Sequence, residues 1–196
     1  MKSKVIQFWE NKLRQAAAPL PSLQYFKPQF YSLCKPHPIW LSAGNNPYEV
    51  EKACCQAQML SGRYRTCWLS RYWSGDSTGY CCLPICRLKP TPGTLPHILT
   101  DCVDLKPARD RVLSLWSDFL HLHPMYKPII EKYTSGSDSH LFVQFLLDCT
   151  VLSDIISLRQ SQGVIVHDSL LYLTRTFCFS IHKSRLKILG KWNIKN

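Results

Sequence analysis

The residue types with the most chemistry in this chain gather in one stretch: Cys82-Leu-Pro-Ile-Cys86, a ten-residue spacer, then His97-Ile-Leu-Thr-Asp-Cys102. Thiolate sulfur and imidazole nitrogen are donors that Zn²⁺ favours, and four of them complete its tetrahedron. A turn stiffened by Pro84 can present the first pair, and a short following segment the second. Pro90, Pro92 and Gly93 make the loop between them, and Leu95, Ile98 and Leu99 can pack behind the metal. Four protein ligands leave no open coordination position, so the expected Zn²⁺ site is structural, not catalytic. The competing reading is a set of ordinary buried thiols around a core histidine. The first pair is separated by three residues where two is commoner, and Cys81 stands directly before Cys82. Either of those two can supply the first ligand.

Ten cysteines in 196 residues would also suit a disulfide scaffold. Met1-Lys2-Ser3-Lys4 is basic, but Glu10, Lys12 and Arg14 follow without a continuous apolar run, so no secretory signal is expected. That favours an intracellular, reducing setting in the nucleus or cytoplasm, where clustered Cys and His read first as metal ligands. The other cysteines offer no second site. Cys54 and Cys55 are adjacent on a helix and diverge. Cys149 and Cys178 lie on apolar stripes and read as core, while Cys34 and Cys67 have no assignment.

A second chemical feature precedes the Cys/His stretch. Between Ser61 and Trp73 lie Arg63, Arg65 and Arg71 with Tyr64, Trp68, Tyr72 and Trp73, and no acid. Guanidinium groups pair with phosphates and aromatic faces stack on unpaired bases. Arg63, Arg65, Trp68, Arg71 and Trp73 are therefore candidate contacts to RNA or DNA, joined by Lys183, Arg185 and Lys187 near the end of the chain. The whole chain carries a formal charge of +11, and its surplus sits in residues 1–112 and 182–196, a field that favours polyanions. The alternative is that the aromatics are core and the basic residues a solvated face.

Enzyme signatures are missing: no P-loop, no G-x-S-x-G and no H-E-x-x-H occurs. No catalytic residue and no small-molecule substrate are expected. No membrane partner is expected either, because the apolar stretch 164–181 is interrupted by His167, Asp168 and Arg175.

The elements that must position these residues read as mainly α. Six prolines between Pro19 and Pro47 make residues 1–47 an irregular, Pro-rich N-terminal arm after a short helix from Val5 to Ala18, and its interspersed Tyr25, Phe26, Phe30, Tyr31 and Trp40 must pack on something. Residues 48–106 hold a helix to about Ser61, stopped by Gly62, a second short helix over Cys67–Trp73, a turn at 74–79 and the small Cys-Cys-His-Cys zinc module. Residues 107–196 read as a C-terminal helical bundle with a basic tail. Val112, Leu115, Trp116, Phe119 and Leu120 form one stripe, and Leu170, Leu171, Leu173, Phe177, Cys178 and Ile181 keep helical spacing to the end.

The order of these features carries a resemblance. Gln58-Met-Leu-Ser-Gly-Arg-Tyr-Arg-Thr, Trp73-Ser-Gly-Asp-Ser-Thr-Gly, Cys82-x3-Cys86, His97-Ile-Leu-Thr-Asp-Cys102 and the ending Ile181-His-Lys-Ser-Arg-Leu-Lys-Ile-Leu-Gly-Lys-Trp192 resemble the region that follows the reverse transcriptase domain in non-LTR (LINE-type) retrotransposon polyproteins. The resemblance implies nucleic-acid binding in support of target-primed synthesis, a reverse transcriptase domain as partner, and Cys82, Cys86, His97 and Cys102 as zinc ligands. The Asp-Asp motif of the polymerase is absent, so polymerase activity is not expected of this chain. No nuclease arrangement is found after the Cys/His module.

Overall fold

The computed structural model describes residues 2–20, 23–32, 35–74, 78–134, 138–162 and 164–193. Within them the chain is mainly α, as the apolar spacing predicts, and the one extended pairing is an isolated bridge between Tyr80 and Pro92. The helices are α1 (Lys2–Ala17), α2 (Pro38–Ala43), α3 (Pro47–Leu60), α4 (Cys67–Ser74), α5 (Pro84–Leu88), α6 (Lys106–Leu122), α7 (Lys127–Thr134), α8 (Ser139–Asp148), α9 (Ser153–Gln162) and α10 (Val164–Asn193). Their ends follow local chemistry. Asn46 caps α3 by accepting the N–H groups of Tyr48 and Glu49 at 3.0 and 3.4 Å, Pro47 fills the first turn, and Gly62 leaves the helix at φ +68°. Thr66 accepts the Leu69 N–H at 3.2 Å at the head of α4, and Asp138 does the same for His140 and Leu141 before α8.

Two compact units divide the chain: Met1–Arg63 with Gln144–Arg175, and Tyr64–Val143 with Thr176–Asn196. They interleave along the sequence, unlike the three consecutive segments 1–47, 48–106 and 107–196 read from composition. Both boundaries in the second half fall inside helices, α8 and α10, which periodicity reads as continuous.

The first unit buries Ile39, Ala53, Met59, Leu146, Leu147 and Leu170. Two of its buried polar side chains reach partners far along the chain. Gln56 Nε2 donates to the Leu146 carbonyl at 2.7 Å, and the Arg175 guanidinium, 2% exposed, donates to Glu49 at 2.8 and 3.1 Å and to Ser42 Oγ at 2.6 Å. The Pro-rich arm has found its packing partner here. Tyr25 is buried and its carbonyl accepts from Gln144, while the Tyr31 hydroxyl bonds to the buried Asp148 and to Thr150. Ser139–Ser157 is apolar enough by composition to cross a membrane, but 56% of it is buried and a 3₁₀ turn at Cys149–Val151 separates α8 from α9.

The second unit is built on α6. Its buried stripe is Ala108, Val112 and Trp116, with Arg109 beside it, whereas Leu115 is half exposed and leaves the stripe expected for it. The Trp116 ring meets Phe142 and Phe177 at 6.5 and 5.6 Å between centroids.

Candidate metal centre

All of the Cys/His stretch lies in the second unit. Its first strand-like segment is fixed by backbone pairing: Cys81 N–H donates to the Thr91 carbonyl at 2.7 Å and Gly93 N–H to the Gly79 carbonyl at 2.8 Å. This holds Cys81 against the loop that leads to His97. Gly93 is required there, because a Cβ on it would stand 2.8 Å from Cys67 Cβ and 3.1 Å from the Cys81 nitrogen. Cys86 comes from α5, whose first turn starts at Pro84 and is held by Asp104. That carboxylate accepts the Ile85 and Cys86 N–H groups, each at 3.1 Å. His97 opens a π turn, His97–Asp101, and Cys102 closes it by donating its N–H to the His97 carbonyl at 2.7 Å. Behind them Leu83, Ile98, Leu99 and Leu105 are at most 1% exposed and form the small apolar floor.

These elements bring Cys81, Cys86, His97 and Cys102 together. Their ligand atoms all lie within 4.8 Å of one another and all four residues are buried. Cys86 Sγ is 3.6 Å from His97 Nε2 and 3.6 Å from Cys102 Sγ. The group can hold a metal ion. The hydrogen bond from Cys102, with a further one from His97, stabilises a thiolate at Cys81 and pulls its pKa down to about 4. The same hydrogen bond to Cys81, with burial, pushes the Cys102 thiol up, and burial pushes Cys86 up. Beside the cluster, Arg109 from α6 donates from Nη2 to the Cys102 carbonyl at 2.7 Å.

The spacing leaves Cys81 and Cys82 both open at the first position, and the group contains Cys81. Cys81, not Cys82, completes the group, because consecutive side chains on an extended segment point to opposite sides. Cys81 and Leu83 face inward and are buried; Cys82 faces out, half-buried, and its thiol pairs with that of Cys67 on α4. The hydrogen bond from Cys82 lowers the Cys67 pKa to about 6, with the Arg185 guanidinium helping.

The candidate nucleic-acid residues are scattered by comparison. Arg65, Lys183 and Lys187 are exposed in the second unit, and Trp68 is half-buried on α4. Arg185 is engaged internally: Nη1 donates to the Arg65 carbonyl at 2.9 Å, and the guanidinium sits 5.4 Å from the Tyr64 ring centre. Arg63 is exposed at the edge of the first unit. The side chains of Arg71 and Trp73 lie outside the described residues. Sequence reasoning missed two residues of the centre's surroundings, Asp104 and Arg109. Asp104 carried a signal in retrospect, an acid two residues past Cys102 able to reach a helix start.

Comparison with known protein families, with curated proteins and with solved structures finds no match to this chain.

Proposed function

We propose that Cys81, Cys86, His97 and Cys102 form a structural zinc centre in a nucleic-acid-binding fragment of a retrotransposon reverse-transcriptase polyprotein, one that supports RNA and target-DNA binding without polymerising. The observation that carries the zinc half is the buried group of three sulfurs and one imidazole. Around zinc, ideal tetrahedral edges are about 3.8 Å between sulfurs and about 3.6 Å between sulfur and nitrogen. The 3.6 Å separations from Cys86 to Cys102 and to His97 sit close to both. The donor set is saturated, so the ion would organise the loop and leave no position for substrate. The nucleic-acid half is supported by the motif order, by the net charge of +11 and by exposed Arg65, Lys183 and Lys187 in the same unit as the centre.

Metal analysis of protein purified under reducing conditions tests the first half, with about one zinc per chain expected. Titration with single-stranded RNA and DNA tests the second. Binding should weaken steeply with salt, and Lys183→Ala with Lys187→Ala should reduce the salt slope by about one to two phosphates. No metal, or no binding at low salt, removes the corresponding half.

A second reading is favoured by α1, where Val5, Phe8 and Trp9 are 54, 54 and 57% exposed at i, i+3, i+4 spacing. Here the chain is an interaction module that docks to a polymerase domain without touching nucleic acid. A stable complex with that domain, together with no RNA or DNA binding at low salt, would select it.

A further inference from the structure

Arg109 is the most buried cation near the centre. Its side chain comes from α6, not from the loop that supplies the ligands, and only 8% of the residue is exposed. One arm of the guanidinium, Nη2, is used on the Cys102 carbonyl at 2.7 Å. The other, Nη1, is buried and has no hydrogen-bond partner. Among the described residues no carboxylate forms an ion pair with it. Asp101 and Asp110 exert some attraction, but both are exposed and Asp110 is held by Lys106 at 2.6 Å. A guanidinium stays charged under all ordinary conditions, and a buried charge without a counter-charge is strongly disfavoured. The Cys102 sulfur acts on it more strongly than either carboxylate, and Cys86 acts as well; both sulfurs turn negative on ligating a metal.

Three thiolates and a neutral imidazole around a divalent ion leave one surplus negative charge among four buried residues. We propose that Arg109 is the counter-ion of the metal centre, a positioning residue whose fixed charge offsets that surplus and so sets how tightly the metal is held. The proposal rests on the metal-centre reading above. It explains why a cation is spent in the apolar stripe of α6, beside Ala108, Val112 and Trp116. It also gives the hydrogen bond to the Cys102 carbonyl a purpose, since that bond aims the guanidinium at the ligand loop.

The test is a pair of variants in the full chain, Arg109→Lys and Arg109→Met, with zinc affinity measured by competition against a chromophoric chelator. The pH at which half the zinc is lost is read alongside. Outer-shell changes at metal sites cost about 10–100-fold in affinity. Arg109→Met should lose that much. Its half-loss point should move to higher pH, because protons compete better for thiolates no longer stabilised by a nearby cation. Arg109→Lys keeps the charge and should stay within about threefold of the parent. Zinc bound equally well by Arg109→Met overturns the proposal, as does Arg109→Lys losing as much as Arg109→Met. If Arg109→Met is not recovered folded, Arg109→Lys decides alone: retention within threefold sustains the proposal and a tenfold loss refutes it. Failure of the parent chain to bind zinc is a different result, and it removes the metal centre itself.

Discussion

Serine substitution at Cys81 and at Cys82 separates the two ligands that sequence spacing leaves open. A structural zinc site contributes about 10–16 kcal/mol of apparent binding free energy. Spread over four ligands, that is about 3–4 kcal/mol each, or about 10²–10³-fold in affinity. Cys81 is 4% exposed and belongs to the group whose ligand atoms lie within 4.8 Å of one another, so Cys81→Ser should show that loss. Cys82 is half-buried and faces Cys67. A serine hydroxyl there can still hydrogen-bond to Cys67, so Cys82→Ser should cost under about 1 kcal/mol. At about 2–4 °C per kcal/mol for a chain of this size, the midpoint of thermal unfolding should fall by about 6–16 °C for Cys81→Ser and by a few degrees at most for Cys82→Ser. The assay is a melt of each protein with zinc and with excess chelator, supported by cobalt substitution, whose thiolate charge-transfer band reports the number of sulfurs bound. Chelator should destabilise the parent and Cys82→Ser to a similar extent, and Cys81→Ser by about 3–4 kcal/mol less, because less zinc binding free energy remains there to be lost. The reasoning is refuted if Cys82→Ser loses the metal while Cys81→Ser keeps it.

Gly93→Ala should destabilise the same loop by about 1–3 kcal/mol, the usual range for overpacking, since its new methyl would stand 2.8 Å from Cys67 Cβ; an unchanged melting curve would show that the loop yields freely. Asp104→Ala frees the Ile85 and Cys86 N–H groups that now share one carboxylate at 3.1 Å, and the loss of these charge-assisted bonds should cost about 1.5–3 kcal/mol, read by denaturant titration with zinc present. In the first unit, Arg175→Ala leaves Glu49 without its buried partner at 2.8 Å and should cost about 3–5 kcal/mol. Burial pushes the Glu49 carboxyl up, but hydrogen bonds from Lys52 and Arg175 outweigh it and hold the pKa below its ordinary value. Stability from this pair is therefore complete above the ordinary carboxylate range and is lost as pH falls through the lowered pKa; denaturant titrations from pH 7 to pH 3 should show that acid loss in the parent and a shallower one in Arg175→Ala.

Much of this arrangement was legible before any coordinates. The end of α3 was, because a glycine such as Gly62 acts on the backbone next to it. Cys86, His97 and Cys102 were legible because the turns that join them are short, so spacing and geometry coincide. The choice between Cys81 and Cys82 was not, because adjacent residues on an extended segment differ only in which side faces the core, and that side is set by the Thr91 and Gly93 pairing across the loop. Arg109 escaped notice because a long basic side chain in a helix is normally solvated. The interleaved units were beyond reach of local pattern. They depend on contacts such as Gln56 to Leu146, separated by 90 positions, and on helices whose periodicity is blind to where one core ends and another begins.

The two units also differ in how much chain each must gather. Cys81 to Cys102 closes within a single short loop, a small entropic step that a bound ion can complete as soon as that segment exists. The first unit must recruit residues 144–175 back to residues 1–63, across the whole intervening stretch. During synthesis Gln56 and Glu49 would wait for the Leu146 carbonyl and the Arg175 guanidinium until nearly the full length had emerged. A truncation before residue 144 would thus leave the ligand loop intact in sequence while stripping the first unit of half its interior. Such a product would be a target for chaperones and proteases even though its metal ligands remained.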